Sequence, residues 1–385
     1  MSQFDLTEIV QNERLYAHRS ATRIGEGRRL IYASRDLAGI GSVRMPFMTT
    51  EHLERARRLL CALQNKIRDA VIAARESQAD RFAQVAGITA SDTIYRVDRI
   101  SEAAILAWFE DYWPRSWPVE LVMEGLEDGE SVTFPAGTPV GRTLFKCIID
   151  PVDGTRGLMY DKRSAWVLAG LAPQRGASTG LKDIVVAAMT ELPTSKQWRS
   201  DQISAIRGGG PKGVLAQAVD WRRRTRTRFI PRPSRARNFE HGFASFARFF
   251  PEGKSLIARI EEELWQELQG PGASGHSPLI FDDQYISTGG QLYELLVGHD
   301  RMIGDIRPLV FKKLRRVSSL TCHPYDICTA LIFTEAGGIV ESPEGRHLDA
   351  PLDAISSVAW MGYANAHLAG KVRPVLRRLL KRHLG

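Results

Sequence analysis

The chain has 385 residues, 43% of them hydrophobic and 25% charged, which suffices for a sizeable core and, by length, for two or three domains. No apolar run reaches the about 18 residues that a membrane-spanning helix needs, and the opening MSQFDLTEIVQNERLYAHRS lacks the basic-then-apolar order of a secretory signal. Four cysteines in this length exclude a disulfide framework, so reduced thiols in a cytoplasmic protein are expected.

Residues 1–50 show weak periodicity and many arginines and read as an N-terminal extension. From Thr50 to Ser77, Leu53, Leu60, Leu63, Ile67 and Val71 recur at helical spacing, which predicts one long amphipathic helix. A second helix is expected over 101–112, ending before Pro114. Strands follow at 119–125, at TLFKCIID up to Asp150, at 165–173 and at 182–193. Residues 51–204 thus read as an α+β domain. The Gly-, Arg- and Pro-rich stretch 205–240 reads as a loop or boundary. Beyond it, helices are expected at 252–268, at 289–300 and from Asp326 to Ala336, the last stopped by Gly337-Gly338. GIVESPEGRHL predicts a hairpin, and 366–384 a closing helix that Pro374 bends or delays. Residues 241–385 read as an α/β domain.

The formal charge is +8, and much of the excess lies in WRRRTRTR (221–228), continued by Arg232, Arg235 and Arg237. Such a run suits either nucleic acid or a phosphorylated ligand, or is simply a solvated basic loop.

The segment IDPVDGTRG (149–157) sets Asp150 and Asp153 three residues apart, off the end of an apolar strand. Like charges in a buried place disfavour each other's ionised form, so something must offset them. Pro151 prevents a smooth continuation of the strand, Gly154 permits a tight turn, and Thr155 can cap a helical turn or bind a ligand. Oxygen donors crowded in this way suit a hard cation such as Mg²⁺, and the amides of Gly154 and Thr155 suit a phosphate. Ordinary turn aspartates are the alternative. Glu124 also ends a short apolar strand, Asp326 is placed at the N-cap of an apolar helix, and Asp98 lies just before another helix. A metal cluster would explain why such acids converge.

DPVDGT together with YDICTALIFTEAGGIV, in that order, resembles the two signatures of the inositol monophosphatase superfamily, the Mg²⁺-dependent, lithium-sensitive sugar and inositol phosphatases; Tyr325 stands where the family usually has Trp. Asp98 and Glu102 in VDRISE match its early acidic pair. The likeness spans roughly residues 55–380. It implies a layered αβαβα sandwich and a phosphomonoesterase that hydrolyses a small phosphorylated polyol, sugar or nucleotide with a metal-activated water. It also implies two or three Mg²⁺ ions held by Glu124, Asp150, the Val152 carbonyl, Asp153 and Asp326. Asp98 acting through Thr155, with Glu124, would serve catalysis, and Asp153, Gly154, Thr155 and Gly289 of the STGG turn would meet the substrate. A homodimer is likewise what the resemblance implies.

Two departures stand out. The strand end reads Glu124-Gly125 where the family has Glu-Glu. The stretch FKKLRRVSSLTCHPYD carries four basic residues and no acid where inositol phosphatases place a polyol-binding glutamate. Myo-inositol monophosphate is therefore not the expected substrate. A highly anionic one, such as a bisphosphate, is favoured, with Lys312, Lys313, Arg315 and Arg316 either meeting a second phosphate or forming surface charge. Three other features carry less chemistry. Cys322, His323 and Cys328 lack a fourth zinc ligand, His241 reads as structural, and RGGGPKG (207–213) lacks the phosphate-loop spacing. The rival reading is a nucleic-acid or partner-binding protein on an inactive phosphatase scaffold.

Overall fold

The computed structural model describes residues 48–77, 85–88, 93–126, 132–269, 279–316 and 320–385, with backbone only for 77 and 85–100. The N-terminal extension expected over 1–50 lies almost wholly outside these residues, which otherwise form one compact unit from Met48 to Gly385.

Helix α1 (Thr50–Ser77) has the predicted limits. Its stripe is buried, with Leu60, Leu63 and Ile67 wholly enclosed. Gln64 is buried beside them, donating to the Ala188 carbonyl at 2.8 Å and accepting from the Thr190 hydroxyl at 2.8 Å, so the polar group is satisfied. After a two-stranded ribbon, β1 (Val85–Ile88) and β2 (Thr93–Tyr95), helix α2 (Arg96–Tyr112) begins five residues earlier than expected and stops before Pro114.

A sheet of eight strands follows: β3 (Val119–Met123), β4 (Val132–Phe134), β5 (Phe145–Asp153), β6 (Ala165–Pro173), β7 (Val186–Leu192), β8 (Arg199–Ile206), β9 (Leu215–Asp220) and β10 (Thr225–Phe229). Short helices α3 (Thr155–Met159) and α4 (Gly210–Gly213) interrupt the run. The strand order is β10-β9-β8-β7-β6-β5-β3-β4, antiparallel except for the β3–β5 pair. Strands β9 and β10 correct the expected loop over 205–240. They are invisible to apolar alternation because β10 is an exposed edge of Thr and Arg, although Ala216 and Val219 of β9 are buried.

The second sheet contains β11 (Gly242–Phe246), β12 (Ile280–Phe281), β13 (Asp300–Asp305), β14 (Ile339–Glu341) and β15 (Trp360–Tyr363), ordered β12-β11-β13-β15-β14. Its helices are α5 (Lys254–Gln269), α6 (Thr288–Val297), α7 (Arg307–Lys313), α8 (Pro324–Ile327), α9 (Ala330–Glu335) and α10 (Ala366–Leu384). Helix α6 stops short of the predicted 300 because Gly298 takes φ +85° and supplies a left-handed end. The helix expected over 326–336 is two short ones, α8 and α9, with Asp326 in the third position of α8 and His323 at its cap. Pro374 lies inside α10 without ending it. The carbonyl it leaves without a donor belongs to Gly370, which is exposed to water.

Five layers result. Helices α1 and α2 cover one face of the large sheet, and α6, α8 and α9 cover the other. The small sheet lies on the far side of those three helices, and α5 and α10 close its outer face. Three apolar clusters fill the four interfaces between these layers, the central one reaching from the large sheet through the helices to Ile303 and Trp360 of the small sheet. This is the expected αβαβα sandwich. Strand β5 shows the division of labour: Cys147 and Ile149 point to α1 and α2, while Ile148 points to the central helices.

Candidate metal centre

Residues three apart in a regular strand face opposite sides of a sheet. Asp150 and Asp153 escape this because β5 carries an irregularity. Asp150 pairs with Leu168 and Asp153 with Trp166, so three steps on β5 oppose two on β6. This is the geometry of a bulge, placed at Pro151, which has no N–H to give to a ladder. The strand thus runs past its expected end at Asp150, and both carboxylates turn toward the central helical layer. Asp150 is 1% exposed and Asp153 6%.

The turn holds itself together locally. The Val152 amide donates to Asp150 Oδ1 at 2.9 Å, and the Thr155 hydroxyl donates to the Val152 carbonyl at 2.7 Å. Gly154, at φ +96°, provides the left-handed entry to α3. A side chain there would press within about 3.0 Å of Ser287 Cβ, so Gly154 also lets the α6 terminus approach.

That terminus grips Asp153. Ser287 caps α6, accepting from the Gly290 amide at 2.8 Å and donating to Asp153 Oδ2 at 2.9 Å. The Thr288 amide reaches Asp153 Oδ1 at 3.2 Å, and the Gly289 amide reaches Oδ2 at 2.5 Å. Asp326 comes from α8, its Oδ2 accepting from the His323 amide at 2.5 Å. The His323 ring stacks on Tyr325 with centroids 5.1 Å apart.

Oxygens of Asp150, Asp153 and Asp326 lie within 4.8 Å of one another, the only such group of metal-ligating side chains among the described residues. Burial, then the charges of Glu124, Asp153 and Asp326, push the Asp150 carboxyl well above its ordinary range, against the Val152 amide. Burial and Asp326 raise Asp153 to about 8, against the Gly289, Ser287 and Thr288 donors. Three carboxylates so placed resist joint ionisation. An all-oxygen donor set of this kind fits a hard divalent cation, which would remove the conflict.

The remaining predicted residues are placed as follows. Glu124 follows β3, its amide donating to the Ile149 carbonyl at 3.3 Å; its charge acts on Asp150, but it lies outside the close group of three. Gly125, where the resemblance has a second glutamate, takes φ +88°, and a Cβ there would collide with the Glu102 carboxylate arriving from α2. Asp98 lies on α2, and its side chain is outside the described residues. The Gly289 amide is already engaged by Asp153.

Sequence reading missed Ser287 and Thr288 as partners of Asp153; a Ser ahead of Gly-Gly at a helix start was the available signal. It also missed Asp305 and Arg307. Asp305 ends β13 at 1% exposure and receives Arg307 Nε at 2.9 Å and Nη2 at 2.5 Å. Arg307 Nη1 donates to the Leu320 carbonyl at 2.9 Å, tying down the segment that leads to Asp326. An acid therefore does precede the second signature, upstream of the basic stretch and already paired. Lys312, Lys313, Arg315 and Arg316 are exposed.

Cys322, His323 and Cys328 form no ligand group. His241 is an exposed turn residue at φ +57°. The amides of Gly208 and Gly210 in the 207–213 turn are taken by the Glu335 carboxylate at 2.8 and 2.6 Å.

No family model matches the sequence, and neither does any curated protein. Solved structures do. The extragenic suppressor protein SuhB of Bartonella henselae is 17% identical, with a TM-score of 0.56, over 84% of this chain and 99% of that one. The fructose-1,6-bisphosphatase of Leishmania major is 14% identical, with a TM-score of 0.58, over 84% and 93%. The IMPase of Thermotoga maritima is 14% identical, with a TM-score of 0.54, over 86% and 100%. The chain shares its fold with these proteins, and at the level of fold the resemblance read from its two signatures is borne out. No helix among the described residues is long and apolar enough to cross a membrane.

Proposed function

We propose that the chain is a Mg²⁺-dependent phosphomonoesterase acting on a small phosphorylated polyol, sugar or nucleotide. The observation that carries this reading is the meeting of Asp150, Asp153 and Asp326 oxygens within 4.8 Å. The fold supports it, since neighbours of this fold include proteins named as a fructose-1,6-bisphosphatase and an IMPase.

In this reading Asp150, Asp153 and Asp326, with Glu124 and the Val152 carbonyl, hold two or three ions. When bound, a hard divalent cation supplies Lewis-acid charge to a phosphate ester. The residues of the chain do the rest. The α6 terminus fixes Asp153 through three hydrogen bonds, so its oxygens keep one orientation. In the same reading Thr155, whose hydroxyl donates to the Val152 carbonyl in the resting site, and Asp98 together relay the proton of an attacking water. The backbone around Gly154 and Thr155 receives the phosphate. All four cysteines are unpaired, consistent with a cytoplasmic protein.

Purified protein is assayed for phosphate release from a panel of sugar, inositol and nucleotide mono- and bisphosphates, with Mg²⁺ or with EDTA, beside Asp150→Asn. Release that requires Mg²⁺ and falls at least about a thousandfold in the variant is expected. Turnover that persists in EDTA or in Asp150→Asn, or no turnover of any ester, overturns the assignment.

A further inference from the structure

Between Trp221 and Arg237 the sequence carries Arg222, Arg223, Arg224, Arg226, Arg228, Arg232, Arg235 and Arg237 and no acid, which equals the whole formal excess of the chain, +8. The first five belong to the β9–β10 turn and to β10. Strand β10 pairs with β9 alone among the described residues, so its outer edge offers unpaired backbone groups. Register places Arg226 opposite Val219 and Arg228 opposite Gln217, on the α1 side of the sheet, where Arg226 and Arg57 both act on Cys61. Alternate residues of a strand lie about 7 Å apart on one face, so the two guanidinium groups form a row. Thr225 to Arg228 are exposed. Asp220 adjoins the turn, and Arg223 meets it only at 4.0 Å with its own side chain 84% exposed.

Aromatic surface stands at the same end of the sheet. The Trp221 amide donates to the Trp198 carbonyl at 3.2 Å, Trp198 is 54% exposed, and Arg222 lies over the Trp221 ring at 5.2 Å. One or two charges are enough to keep an edge strand from pairing with another chain; five within residues 222–228, beside an open indole, are more than that task requires.

We propose that the β9–β10 edge, with Trp198, is a binding site for single-stranded nucleic acid. The arginines take successive phosphates, and the indole provides a stacking face that any base can use. An acidic peptide would use the arginines but leave the indole without a role, and Arg226 and Arg228 on one face of β10 with Thr225 and Thr227 on the other offer no apolar pockets for a partner strand. The site is independent of the acidic centre and of the reaction proposed for it.

The test uses the full chain and a labelled oligouridylate of about twenty residues, with anisotropy read at about 50 and 200 mM salt. The comparison is with a fourfold variant, R223Q/R224Q/R226Q/R228Q, and with Trp198→Ala. The unmodified protein should bind, and the fourfold variant should bind at least about tenfold more weakly, with a log–log salt slope smaller by about 3. Trp198→Ala should lose several-fold with the slope unchanged. Thermal unfolding and phosphate release should not change, since every altered side chain is on the surface. Absence of binding at low salt, a flat salt response, or equal binding by the fourfold variant overturns the proposal; the last would place the affinity in the other arginines of the chain. Tighter retention on anionic vesicles or on polyglutamate than on the oligonucleotide also overturns it.

Discussion

The amide of Gly289 donates to Asp153 Oδ2 at 2.5 Å across 136 residues of sequence. No side chain is possible at that contact, because a Cβ on Gly289 would lie 2.9 Å from the same oxygen and 2.5 Å from Leu168 Cδ2. Leu168 is a wholly buried residue of β6 and cannot retreat. Gly289→Ala should therefore push α6 away from Asp153, destabilising the fold by about 1–3 kcal/mol. Mg²⁺ affinity should fall at least about tenfold, because the carboxylate loses its orientation. Thermal unfolding and calorimetric Mg²⁺ titration check both parts.

Metal-free protein should become less stable as pH rises. Burial and the Asp326 charge push Asp153 up to about 8 in the fold, from an ordinary 3.8, and burial with the neighbouring acids raises Asp150 as well. Between those values the folded chain keeps a proton that the unfolded chain has released. Stability is thus fully present below about pH 4 and is lost as pH rises through about 8. A cation that binds only the ionised cluster reverses the trend. Unfolding temperatures in EDTA should be lower at pH 8 than at pH 6, with the gap closed by millimolar Mg²⁺. Equal temperatures in EDTA at both values would count against the buried, mutually repelling arrangement.

Thr155→Ala should reduce turnover by about 10–100-fold, with Mg²⁺ affinity changed far less. Its hydroxyl touches the Val152 carbonyl rather than a carboxylate of the close group. Thr155→Ser should retain most of the activity. Steady-state kinetics of the two variants separate a role for the hydroxyl from a loss of fold.

Arg307 and Asp305 are both buried, with side chains 7% and 1% exposed. Arg307→Leu leaves the Asp305 carboxylate enclosed without its partner, at a cost of about 3–5 kcal/mol. Replacing both, as Asp305→Leu with Arg307→Met, should recover much of that loss. Urea unfolding of the single and double variants measures the coupling.

Much of this fold was legible from side-chain periodicity. Leu60, Leu63 and Ile67 announced α1, and AWVLAGLAP announced β6, because burial on one or both faces leaves a repeating apolar mark. Strand β10 had no such mark, since its side chains meet water. The break of the expected 326–336 helix into α8 and α9 coincides with a close approach between distant elements, where a Cβ on Gly170 of β6 would lie 3.2 Å from Cys328 Cβ. The acids Asp150, Asp153 and Asp326 were nameable from their motifs. Their partners were not, because the bond from Ser287 to Asp153 and the pairing of Arg307 with Asp305 depend on how distant elements and strand ends come together. The bulge at Pro151, which turns two aspartates to one side, had only the proline as a hint.

The centre draws Asp150 and Asp153 from the large sheet, its brace at Ser287–Gly289 from α6, and Asp326 from α8 in the helical layer that both sheets share. During synthesis the large sheet can close around its own core while this acidic corner still lacks its third carboxylate and its supporting amides. In the proposed reading the complete site forms late, once the C-terminal half has docked. On that reading bound metal would report that folding is complete, and a chain interrupted before α6 would lack both Asp326 and the brace at Ser287–Gly289.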